Sequence, residues 1–117
     1  MTRYLLDMGH QHILFIMGIT RNPVIPPSFR DRYYGYKVAC DLAGVKPIAP
    51  AIIPSNIAIE GLHRDRIHPE YEEWLLSIFE AHPKVTAVFG AGDIYAISSL
   101  HALLGNGYEV PEDISVV

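Results

Sequence analysis

The chain has 117 residues, enough for one domain with a real core. Its hydrophobic fraction is 50 % and its charged fraction 19 %, which excludes a disordered tail. A net charge of −4 argues against a stand-alone nucleic-acid-binding module, and a single cysteine, Cys40, excludes an internal disulfide.

Thr2–Met8 reads as the end of a helix, closed by Gly9. His12–Met17 (HILFIM) is a short apolar run with the length of a buried strand, far too short to span a membrane. Nothing before it has the charged-then-apolar pattern of a signal peptide. Ile19–Pro27 holds three prolines and reads as a loop. Ser28 then stands as an N-cap, with Asp31 three residues on, and a helix runs to about Ala43 before stopping at Gly44. Ala51–Ile53 reads as a second strand. Pro69 opens another helix whose Glu70, Glu72 and Glu73 complement its dipole. Tyr71, Trp74, Leu75, Ile78 and Phe79 fall at helical spacing and form a core-facing stripe. Val85–Phe89 is a third strand. Asp93 caps a helix to Leu104, ended by Gly105–Gly107, and Ser115–Val117 begins a fourth strand.

Strands alternating with helices imply βαβ units: an α/β fold, with a Rossmann-like parallel sheet flanked by helices. Such sheets bind ligands beyond the C-terminal ends of their strands. Ser28–Arg32 and Gly90–Asp93 both sit at strand-to-helix junctions, so both should face that crevice.

Arg30 and Arg32 are unusual there, because cations near a helix N-terminus are mildly unfavourable. Phe29, Tyr33, Tyr36 and Cys40 supply the helix's inward face, and Arg32 lies at its edge. A guanidinium so placed can donate paired bonds to a carboxylate, a phosphate or vicinal hydroxyls. The plainer reading is a salt bridge to Asp31 or a neighbouring loop. Gly90-Ala91-Gly92-Asp93 does not complete a dinucleotide fingerprint, since Tyr95 occupies the third small-residue position. His63 and His68 lack metal-ligand spacing and read as a surface loop. No nucleophile elbow, P-loop lysine or C-x-x-C is present, and no carboxylate pair is set for acid–base work, so an enzyme reading has little support. Trp74 lies on an apolar helix face, which favours core packing over sugar stacking.

Several of these pieces together resemble lactose-repressor-type (LacI/GalR) transcription regulators. Leu6-Asp7-Met8-Gly9-His10 running into HILFIMG is similar to the family's entry into its C-terminal effector subdomain. SFRDRYYGYKVACDLAG is similar to its S-x-x-x-R-x-x-G-aromatic helix. AVFGAGDIYAISSLHALLGNGYEVPEDISVV is similar to its closing motif, where glycine, proline and acid recur at fixed spacing. The resemblance covers nearly all of residues 1–117 apart from about Pro54–Pro69, and it implies a single partial subdomain of a periplasmic-binding-protein-like effector domain.

In that family two such subdomains close over a sugar, sugar phosphate or nucleobase, and closure alters a dimer's grip on operator DNA. Arg32 matches the effector-binding arginine. Ser28 matches a small polar position that touches the effector in some members. Asp93 matches the motif aspartate. Gly92 stands where many members have an effector-binding asparagine. Ile57 or a neighbour stands where others have an aromatic wall. The resemblance implies a cytoplasmic homodimer with no cofactor and no metal. It also implies a helix-turn-helix headpiece and a first effector subdomain outside this chain, so that operator DNA is reached only through a segment absent here. A sugar-type periplasmic solute-binding protein of a transporter shares the fold and is the rival reading; the V-P-x-D-I-S-V-V ending favours the regulator.

Overall fold

The computed structural model describes residues 1–18, 25–54, 57 and 69–117. Two expectations lie outside these residues: most of the proline-rich loop before the long helix, and the loop holding His63 and His68. Four helices and four strands are described, in the order α1 (Thr2–Asp7), β1 (Ile13–Met17), α2 (Pro27–Leu42), β2 (Ala51–Ile52), α3 (Pro69–Ala81), β3 (Ala87–Gly90), α4 (Asp93–Gly105) and β4 (Ser115–Val116). The strands form one parallel sheet in the order β2-β1-β3-β4. Chain order therefore reverses between β1 and β3, and the crevice of such a sheet opens at that reversal. Helices α1 and α2 pack together on one face, and α3 and α4 on the other, as right-handed crossovers require.

Every residue of β1 is buried, which is why ILFIM is apolar without alternation. Phe15 pairs directly with Phe89, and their rings stack at 5.1 Å; Phe15 also meets Tyr33 and Tyr36 from α2. Leu5, Leu75, Leu103 and Val88 are likewise buried in this one core. The stripe on α3 forms as its spacing predicts: Tyr71, Leu75 and Phe79 are buried, while Trp74 and Ile78 pack against them from the margin.

Helices α1, α2 and α4 end alike. In each, the amide of a glycine with positive φ (Gly9, Gly44, Gly107) bonds back three residues, and the next amide bonds back five. A residue without Cβ adopts this left-handed turn at no steric cost, so glycine sets each stop.

The helix starts differ from the sequence reading. Helix α2 begins at Pro27 with Pro26 as N-cap, so Ser28 lies inside the first turn and makes no capping bond. Proline suits the first helical position because its φ is preset and its missing N–H is not needed there. Helix α4 has Gly92 as N-cap, with Asp93 the first helical residue. Asp93 complements the dipole instead of providing the cap. Strand β3 starts at Ala87, two residues later than expected, although Thr86 still bonds across to His12 and Ser115.

Candidate crevice at the strand ends

The parallel ladder runs up to the crevice. Gly90 N donates to the Val117 carbonyl at 2.9 Å, and Ala91 N donates to the Ile16 carbonyl at 2.8 Å. The chain then turns at once into α4, and that turn is tight. A Cβ on Gly90 would sit 2.7 Å from the backbone nitrogen of Ala96, so only glycine fits without moving the helix. Gly92 is different. Its φ of −146° is ordinary extended backbone, and a Cβ there would touch the Tyr95 and Phe29 rings at 3.7 and 3.8 Å.

Two contacts join the start of α2 to this turn across the reversal point. The Phe29 ring meets Tyr95 edge-on, with centroids 5.6 Å apart. The Arg32 guanidinium donates from Nη1 to the Ala91 carbonyl. Because α2 begins earlier than the sequence suggested, Arg32 is its sixth residue and clear of the first turn, where the dipole penalty is concentrated. The partner is thus a backbone carbonyl on the facing β3–α4 turn, a loop contact made by a hydrogen bond instead of a salt bridge. A guanidinium has five N–H groups, so this bond fixes its direction and leaves most of its fork available.

Arg32, Gly92 and Asp93 line one hollow of about 510 Å³, together with Phe89, Ala91 and Val117. The first turn of α4 opens onto it, and its partial positive charge adds to the guanidinium. The arrangement suits an oxygen-rich or anionic small molecule, held by hydrogen bonds. Two other sequence candidates are not brought there. Ser28 is exposed near the start of α2 and is not part of the lining. Ile57 is buried and belongs to the core cluster.

Sequence reasoning missed Phe89 and the Ala91 carbonyl. Phe89 could have been found, because the last residues of a parallel strand face the crevice. A backbone acceptor leaves no trace in residue identity. Among the described residues, no group of three or more His, Cys, Asp or Glu side chains could hold a metal ion, and no helix is long and apolar enough to cross a membrane.

Residues 2–117 match the family described as periplasmic binding protein-like domain. The chain is 30 % identical over 116 residues to the HTH-type transcriptional repressor PurR of Pasteurella multocida, covering 99 % of this chain and 31 % of that protein. It is 27 % identical to catabolite control protein A of Priestia megaterium, covering 97 % of this chain and 30 % of that one. A LacI-family transcriptional regulatory protein from Corynebacterium glutamicum superposes with a TM-score of 0.69 at 25 % identity, over 97 % of this chain and 40 % of its own. The chain thus spans about 31 % of the first of these curated relatives. The chain belongs to the periplasmic binding protein-like domain family.

Proposed function

We propose that this chain is the effector-sensing part of a bacterial transcription regulator. It binds a sugar, sugar phosphate or nucleobase without covalent chemistry. Arg32 is the main polar clamp. Asp93 and the Gly92 turn make secondary contacts, and Phe89 gives an apolar wall. The observation that carries this reading is the Arg32 bond to the Ala91 carbonyl, which aims a guanidinium over the strand ends at the point where chain order reverses. A second effector subdomain and a DNA-binding headpiece, carried elsewhere in the whole protein, complete the pocket and reach the operator. The whole protein acts as a cytoplasmic homodimer, and no catalytic step is needed.

The kinship with repressors supports a regulator over a transport protein. The test is Arg32→Ala in the whole protein. Operator binding and thermal stability should stay near wild type, because Arg32 is exposed and carries no core packing. Response to a panel of sugars, sugar phosphates and nucleobases should be lost. A variant that still responds at wild-type concentrations removes Arg32 from the site. A whole protein that binds such a ligand but no DNA restores the transport reading.

A further inference from the structure

The two ends of the Arg32–Ala91 bond are held in different ways. The acceptor is set by the sheet. Ala91 N donates to the Ile16 carbonyl at 2.8 Å, and the turn around it admits only glycine at position 90. The helix behind that turn is set from α3. In the first turn of α4, the Tyr95 carbonyl accepts from the Tyr71 hydroxyl at 3.3 Å and from Ser99 Oγ at 2.7 Å. Those two hydroxyls also bond each other at 2.8 Å, and both residues are buried. A buried network with every member bonded is stiff, so Tyr95 stands as a fixed wall. The donor has no such frame of its own. Arg32 is exposed, and an arginine side chain is rich in rotamers, so its direction depends on where α2 sits.

The middle of α2 is anchored where Tyr33 and Tyr36 meet Phe15. Its start is anchored by Phe29, whose partly buried ring meets the buried Tyr95 ring edge-on at 75°. Such a pair is directional as well as apolar. Phe29 and Arg32 are three residues apart on one helix, which makes them side-by-side neighbours, about 5–6 Å apart at Cβ. Phe29 itself does not line the hollow, whereas Arg32 does. We propose that Phe29 is a positioning residue for the crevice. By seating the first turn of α2 on Tyr95, it holds the Arg32 guanidinium on the Ala91 carbonyl and aims the rest of the fork at the ligand. This rests on the reading of Arg32 as the polar clamp. Phe29 acts on the ligand only through Arg32, as a support that keeps a binding group within the small tolerance that recognition allows.

The bond can be read without a ligand, because the NMR shift of a carbonyl carbon depends on whether its oxygen accepts a hydrogen bond. In the full chain, Arg32→Ala should move the Ala91 carbonyl signal. In the Phe29→Ala background the same substitution should move it by less than about half as much, since the bond is already loosened. Comparing one substitution in two backgrounds cancels the direct effect of the missing ring. Phe29→Tyr keeps the ring and should restore the full response. Circular dichroism checks the fold, and Phe29→Leu, which keeps apolar bulk without a ring edge, replaces Phe29→Ala if that variant unfolds. On the whole protein, with ribose, ribose phosphate and guanine as probes, Phe29→Ala should weaken any binding about tenfold. The double variant should bind no more weakly than Arg32→Ala alone. An undiminished Arg32 response in the Phe29→Ala background overturns the proposal and makes the ring pair plain packing. So does a double variant that binds a probe more weakly than Arg32→Ala, which would put Phe29 against the ligand. Both results leave Arg32 as the clamp. An Ala91 signal that Arg32→Ala does not move removes the bond itself, and with it the reading of the site.

Discussion

The two ends of the sheet are built on opposite plans. At the N-terminal end, side chains tie the strands down. His10 bonds Thr86 Oγ1 from Nδ1 at 2.8 Å and Ser115 Oγ from Nε2 at 3.2 Å, linking the segment before β1 to the starts of β3 and β4. The Tyr36 hydroxyl donates to the Ile13 carbonyl at 2.8 Å and accepts from Ile48 N at 3.2 Å. At the C-terminal end, the contacts across the reversal point include a glycine turn, one ring pair and one arginine reaching a carbonyl. The larger hollow, about 810 Å³, lies at the tied end, bordered by the C-terminal turns of α3 and α4. Helix C-termini carry partial negative charge and turn carbonyls outward, so they suit an anionic ligand poorly. Direction of the backbone dipoles, more than volume, favours the crevice as the proposed binding end. Mutations at the tied end should therefore cost stability, and those at the crevice should mainly change ligand response.

The largest expected effect sharpens the structural side. Tyr36→Phe leaves the Ile13 carbonyl and the Ile48 amide without their side-chain partner, which should cost about 1–3 kcal/mol in denaturant unfolding. The same residue gives a pH signature. Burial, with the neighbouring Cys40 adding to it, pushes the Tyr36 phenol well above its ordinary value of 10.0. Burial does the same to Tyr71, whose hydroxyl bonds Ser99 Oγ at 2.8 Å. A phenol is charged only when deprotonated, so above pH 10 the unfolded chain gives up protons that the folded chain keeps. Stability from these groups is then complete below that pH and falls as pH rises past it. Tyr36→Phe should make this alkaline decline shallower.

The Gly90→Ala variant could break the comparison, because it lies at the crevice yet should cost stability. The added methyl would press on the Ala96 backbone, which cannot swing aside, at an expected cost of about 1–3 kcal/mol. Normal stability in this variant would mean that the β3–α4 turn is looser than its geometry indicates. His10→Ala comes next. Its two bonds are partly open to water, so about 1 kcal/mol is expected, with ligand response unchanged.

The same contrast explains what could be read from sequence. The helix stops at Gly9, Gly44 and Gly107 were legible because one residue's conformational freedom decides each. The α3 stripe was legible because burial follows a fixed period. The starts of α2 and α4 were not. Ser28 and Asp93 are both residue types that cap helices well, but the cap goes where the chain leaves the crevice, and the Pro26-Pro27 pair and Gly92 occupy those positions. Arg32 lines the hollow at the strand ends, but its partner is a backbone carbonyl, which residue identity cannot announce. Ile57 could be placed from sequence only by resemblance, and its burial in the core gives its side chain a packing role.

The smallest effect on stability comes from Gly92→Asn, and it has the opposite sign to Gly90→Ala only two residues away. Gly92 is the N-cap of α4 with extended φ, and a Cβ there meets only ordinary contacts with Tyr95 and Phe29. Asparagine is a better N-cap than glycine because its side-chain oxygen can accept from the first amides of the helix, so a gain of a few tenths of a kcal/mol, about 0.3, is expected. The new amide also stands in the lining of the hollow beside Arg32 and Asp93. Ligand preference in the whole protein should therefore shift while unfolding stability stays level or rises. A variant that loses stability as Gly90→Ala does would show that the turn tolerates no side chain at either position. A stable variant with unchanged preference would show that the ligand does not rest against Gly92. Calorimetric unfolding and ligand titration on the one variant separate these outcomes, because the cap acts on the helix and the amide acts on the hollow.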